Sequence, residues 1–131
     1  MDVIKKINKY PFLYWIPSLI TIIVISYFSL MPQEIIISKQ PGFNFNFMHL
    51  FAYLFLSFFM GISLFHSKLK NHYNLAILYC FLFGTLIEIL QYFIPGRLFG
   101  IDDLIRNTIG IVLGQGARNI LRKNKFLKKI I

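Results

Sequence analysis

Hydrophobic positions in this chain come in long blocks and do not alternate. No Asp, Glu, Lys or Arg occurs from Tyr10 to Gln33, or from Gln40 to Ser67. Each block exceeds the ~20 residues an α-helix needs to cross the hydrocarbon layer of a bilayer. The pattern predicts an all-α polytopic membrane protein, a four-transmembrane-helix bundle forming one domain over 1–131. The spans fall at about 12–31, 47–66, 73–94 and 101–121, separated by Pro32, by Pro41-Gly42 and by Pro95-Gly96. Pro17 lies in the first turns of its helix, where a missing amide donor costs least. The fourth span has the weakest pattern. Only Asn107 to Ala117 is free of charge, so its first turn includes Asp102, Asp103 and Arg106.

Composition supports the membrane class. The chain is 56% hydrophobic and 15% charged, too few charges to solvate a domain of this size. Its net charge of +9 raises nucleic acid as a partner. The basic residues, however, sit at segment ends and in the tail, so they are read as topogenic and nucleic acid is set aside. Lys5, Lys6, Lys9, Lys68, Lys70, Arg118, Arg122, Lys123, Lys125, Lys128 and Lys129 fall on one side of the four spans, and Lys39, Arg97 and Arg106 on the other. Eleven against three puts both termini in the cytoplasm. The Arg118 to Lys129 cluster also suits anionic lipid. The basic N-terminus and the apolar run after it resemble a signal peptide. The run is too long, and Ser26-Tyr27-Phe28-Ser29 is too bulky for cleavage, so it is taken as an uncleaved first span. Cys80 is the single cysteine. It excludes an internal disulfide and is read as a packing residue.

The polar residues within the spans gather at one depth. Glu34, Glu88, Asp102 and Asp103 fall on or near the outer side. His49 and Tyr53, four apart, share a face of the second span. Gly84, Glu88 and Gln91 form a stripe on the third, and Asp103, Asn107, Gly110 and Gly114 a stripe on the fourth. Arg97 lies in the loop between those two. An ionisable group at membrane depth is costly, so it faces a bundle interior and finds a partner. His49, Tyr53, Glu88, Gln91, Arg97, Asp103 and Asn107 are therefore the candidate ligand-binding or functional cluster. The third and fourth spans are expected to pair as a hairpin with their stripes facing, Glu88 accepting from Asn107, His49 or Arg97. Arg106 is placed to pair with Asp102 or Asp103.

Plainer readings stand beside these. Gly84, Gly110 and Gly114 serve helix packing, Asn107 alone could be helix–helix glue, and His66 and His72 read as interfacial. His49, Glu88 and Asp103 offer a His–carboxylate set, but no paired-ligand spacing supports it, so no metal and no cofactor is assigned. Ser57, Ser63 and Thr85 lack a nucleophile motif. Acid–base chemistry by His49 or Glu88 remains open.

Gly84-Thr-Leu-Ile-Glu88-Ile-Leu-Gln91-Tyr-Phe-Ile-Pro95-Gly96-Arg97, followed by Asp103-Leu-Ile-Arg-Asn107-Thr-Ile-Gly110, resembles the VanZ-like family. That family's pattern is a glycine, E-x-x-Q, a P-G-R turn and D-x-x-x-N-x-x-G. His49-Leu-Phe-Ala52-Tyr53 and Ser29-Leu-Met-Pro32 are similar to its other motifs. Two positions depart: Phe45 and Asn46 stand where the family often has Asp-Lys, and Arg106 where it usually has a small or apolar residue. The resemblance implies a bacterial plasma-membrane protein. It also implies a link to resistance against the glycopeptide teicoplanin, without rebuilding of the D-Ala-D-Ala terminus.

Three functions compete. The first is a non-enzymatic module that binds or handles a membrane lipid or lipid-linked envelope precursor at the outer leaflet, with Arg97 suited to phosphate and a lipoglycopeptide antibiotic met at the same depth. The second is an intramembrane enzyme acting on lipid through His49 or Glu88. The third is a structural or partner protein. The small enclosed volume of one chain makes a homodimer plausible.

Overall fold

The computed structural model describes residues 9–32, 34, 46–97, 100–125 and 127–131. Asp2, Lys5, Lys6, Lys39 and Phe45 of the sequence reading, and the side chain of Asn46, lie outside the described residues. A 3-10 turn, Pro11–Trp15, runs into helix α1, Ile16–Ser29. Helices α2 (Asn46–His66), α3 (His72–Gln91) and α4 (Ile101–Leu121) follow, then a second 3-10 turn at Leu127–Lys129. No strand occurs among the described residues.

The predicted spans match α2 and α4 closely. α3 stops at Gln91, three residues short of the expected end. Proline has no amide hydrogen, and its ring clashes with the carbonyl four residues back; for Pro95 that carbonyl belongs to Gln91. The chain leaves the helix there through tight turns, Ile94 N donating to Gln91 O at 2.9 Å and Arg97 N to Ile94 O at 3.1 Å. Gly96 takes φ 78°, a conformation that costs glycine little.

Among the described residues three helical stretches, Pro11–Ser29, Phe47–His66 and His72–Gln91, are long and apolar enough to cross a membrane. α4 has the length but not the composition, which corrects the expectation of four such spans. Its polarity is arranged inside out. Asn107, Gly110, Gly114, Gln115 and Arg118 are buried, while Ile101, Ile105, Ile109, Val112, Leu113 and Ile120 are exposed. A helix in water shows the reverse. The other helices also expose large apolar side chains, among them Leu19, Ile23, Phe51, Phe55, Leu82 and Leu86.

α2 is the central element and packs most closely on α4. A Cβ added at Gly110 would collide with the Leu50 carbonyl, and one at Gly114 with the Leu54 carbonyl. The glycine stripe therefore meets α2, not α3 as the hairpin reading expected. Backbones approach closest where side chains are absent, and α2 is the helix that comes that near. Polar pairing follows the same seam. Ser57 Oγ donates to Ile111 O at 2.9 Å, and Gln115 Nε2 reaches Ser57 Oγ at 3.1 Å and the Ser57 carbonyl. Tyr53, Leu56, Met60, Leu64, Ala76, Cys80, Ile111 and Ile25 fill the core around it.

α1 is fastened at both ends. At one, Ser18 and Ser63 hydroxyls lie 2.8 Å apart and Trp15 Nε1 donates to Ser67 Oγ at 3.1 Å. At the other, its last carbonyls have no partner within the helix. Gln91 Nε2 donates to Ser29 O at 2.9 Å, Arg97 Nη2 to Phe28 O at 3.0 Å and Arg97 Nε to Met31 O at 3.3 Å. α3 and its following loop thus cap α1.

Two outcomes test this packing. Gly110→Ala and Gly114→Ala are expected to cost about 1–3 kcal/mol each by overpacking, seen as a lower unfolding midpoint in detergent. Gly116→Ala meets nothing within 4 Å and should not lower the midpoint, alanine being the better helix former. Arg97→Met keeps the side-chain length but uncaps α1, and is expected to lose about 1–3 kcal/mol; an unaltered midpoint would remove the cap's structural role.

Candidate functional site

At the end of the bundle where α3 finishes and α4 begins, the predicted cluster separates into three groups. The inner group is Tyr53, Glu88 and Asn107, all buried to within 1%. Tyr53 comes from α2, Glu88 from α3 and Asn107 from α4, so three helices meet here. Asn107 Nδ2 donates to Glu88 Oε1 at 3.4 Å, and the Gly100 amide also reaches the Glu88 carboxyl. Tyr53 lies over Gly84: a Cβ there would sit 3.1 Å from Tyr53 Cε1 and 3.4 Å from its hydroxyl. Gly84 is thus the seat for the tyrosine ring.

The rim group is His49, Asp103 and Arg106. Arg106 Nη1 pairs with Asp103 Oδ1 at 2.6 Å, both side chains about a third exposed. His49 is half-buried beside Asn107, within the electrostatic reach of Asp103, Arg97 and Arg106. Asp102 is exposed and points to no partner in the cluster.

The third group is structural. Gln91 and Arg97 turn their donors to the carbonyls of α1. The guanidinium that the sequence offers to a phosphate is thereby committed to a helix end. Burial lowers the Arg97 pKa from its ordinary value, while Asp103 and Glu88 act to raise it.

The inner group leaves atoms unpaired. Tyr53 Oη, Glu88 Oε2 and Asn107 Oδ1 are buried without a hydrogen-bond partner. Such atoms are costly in a low-dielectric interior. Two of the three are acceptors and the hydroxyl serves either way, so the set suits a group bearing O–H or N–H donors. Beside it, a partly open groove of about 60 Å³ runs between α1 and α2, walled by Val24, Ile25, Phe28, Met48 and Ala52 and ending at Ser29, His49 and Tyr53. Drug-sized pockets measure about 300–1,000 Å³. A groove of about 60 Å³ is far smaller than that. No group of three or more metal-ligating side chains converges among the described residues.

Sequence reasoning missed the polar group at the opposite end. Arg118, counted there as topogenic, is fully buried. It donates from Nη1 to Gln115 Oε1 at 3.1 Å, and its Nη2 lies 3.2 Å from His72 Nδ1. The signal was present. Asn107, Ile111, Gln115 and Arg118 step by four, four and three along one face of α4, so Arg118 continues the buried stripe.

A family model described as VanZ/LLP1 matches residues 4–122, most of the chain. No curated protein and no solved structure matches it. The match takes in every helix from α1 to α4 and all of the cluster residues. The chain belongs to the VanZ/LLP1 family.

Proposed function

We propose that this protein spans the bacterial plasma membrane four times with both termini cytoplasmic, and that the Tyr53–Glu88–Asn107 cluster binds the head of a lipid or lipid-linked envelope component at the outer leaflet. The carrying observation is the set of three unpaired buried polar atoms on three different helices, one of whose residues, Tyr53, also lines an apolar groove between α1 and α2. α4 counts as the fourth span because its apolar residues face outward and its polar ones are shielded by α2. The eleven-to-three distribution of Lys and Arg supports the orientation.

The chemistry narrows the head group. With Arg97 engaged by α1, the cluster offers acceptors and a hydroxyl, which fit sugar hydroxyls or an amine better than a phosphate. The apolar wall of the groove then lies along the first part of an acyl chain. A link to teicoplanin resistance follows in this reading if such a lipid is handled where the lipid-bearing antibiotic docks, the glycopeptide cage staying outside the bundle. A second reading, an intramembrane enzyme, uses the same residues: His49, beside Asp103 and Asn107, has the surroundings of an oriented base.

The test uses the purified chain in nanodiscs with two diazirine-tailed lipids, a glycosyl diacylglycerol and a phosphatidylcholine. Labelling at Val24 and Met48 is expected from the sugar lipid and to fall about tenfold in Glu88→Gln and Tyr53→Phe. Equal labelling by both lipids, or labelling indifferent to both substitutions, sinks the binding reading. Conversion of the sugar lipid to a new species, seen by mass spectrometry and lost in His49→Ala, would favour the enzyme.

A further inference from the structure

The end of the bundle opposite Glu88 concentrates positive charge with which no carboxylate among the described residues pairs. Arg118 is fully buried and its Nε has no partner. Its two hydrogen-bonding neighbours, Gln115 and His72, are neutral acceptors in these contacts. Gly61 makes the room, since a Cβ there would lie 2.8 Å from Arg118 Nη1 and 2.7 Å from Gln115 Nε2. One turn further along α4, Arg122 brings a second guanidinium to the same ring. The Phe65 centroid is 4.6 Å from Arg122 Cζ and 5.9 Å from Arg118 Cζ. Among the described residues neither guanidinium makes an ion pair. Two like charges at one aromatic ring, one of them desolvated, are a costly arrangement until an anion joins them.

α3 starts at this place. Its first residue is His72, its N-cap residue Asn71 makes no side-chain capping bond, and its first turn contains no acid. A 20-residue helix therefore presents unsatisfied amides and the positive end of its dipole beside the two arginines. His72 Nδ1 accepts from Arg118, which puts the proton of the neutral ring on Nε2, directed away from Arg118 as a further donor. Uncapped helix amides together with guanidinium are the donor set for a phosphate oxyanion. Large apolar side chains close in the chain to these donors, Leu69, Ile120 and Leu121, are exposed, so apolar surface accompanies the anion-binding groups.

We propose that this end binds the phosphate of an anionic lipid, with Arg122, His72 Nε2–H and the first amides of α3 at the mouth and Arg118 as the charge behind them. The site is separate from the Glu88 cluster and shares no residue with it.

The experiment titrates the purified full chain in dodecyl maltoside with phosphatidylglycerol, with phosphatidylcholine and with inorganic phosphate. The readouts are the unfolding midpoint and the fluorescence of Trp15, the single tryptophan, which is bonded to Ser67 at this end. Phosphatidylglycerol is expected to raise the midpoint and shift the fluorescence at the lowest concentration of the three. Arg122→Gln should weaken that half-saturation about tenfold. Lys123→Gln, a change at an exposed neighbour, should not. Arg118→Gln removes the buried charge; if it fails to fold, Arg122→Gln still decides. Equal response to phosphatidylglycerol and phosphatidylcholine, or no effect of Arg122→Gln, overturns the site. Inorganic phosphate acting as well as phosphatidylglycerol overturns the lipid as its source.

Discussion

The close approach of α2 and α4 governs the rest of this structure. At Gly110 and Gly114 the two backbones come within contact of each other, with no side chain between them. That approach brings Ser57 to the Ile111 carbonyl and Gln115 to Ser57. It also sets Asn107 at the depth where Glu88 arrives from α3. A methyl group inserted into the seam would move both polar ends at once. The clusters at opposite ends of α4 are thus positioned by the same pair of glycines.

Around that seam the polar residues divide their tasks. Gln91 and Arg97 hold α1 by its last carbonyls. Tyr53, Glu88 and Asn107 keep unpaired atoms in the interior, and Asp103 with Arg106 closes the rim. A protein that needed only packing could have filled these places with apolar residues of similar volume at no loss. Unpaired acceptors at one end and unanswered guanidiniums at the other make the two ends chemically unlike.

Much of the fold could be read from sequence because charge-free runs and proline positions mark helices directly. α4 was legible from its stripe even though hydropathy alone leaves it short. The stripe's neighbour was not legible. A spacing of three and four says which residues share a face, not which helix that face meets, so Gly110 and Gly114 were assigned to α3 although they meet α2. Glu88 and Asn107 were rightly expected to meet. The roles of Gln91 and Arg97 depend on where α1 ends in space, which no local pattern contains. Arg118 was overlooked because a basic residue near a helix end satisfies the topogenic reading, and only its register with Asn107 and Gln115 sets it apart.

The inside-out polarity of α4 bears on how the molecule assembles. A helix that keeps Asn107, Gln115 and Arg118 on one side is poorly stable alone in an apolar medium, where each group would lack a partner. Its partners come from the earlier helices: α2 offers the Ser57 hydroxyl and the bare backbone opposite its glycines, and α3 offers Glu88 to Asn107 and His72 to Arg118. Since α2 precedes α4 in the chain, the earlier segment is made first and waits as the template. α4 is in this sense a guest whose host is always synthesised ahead of it.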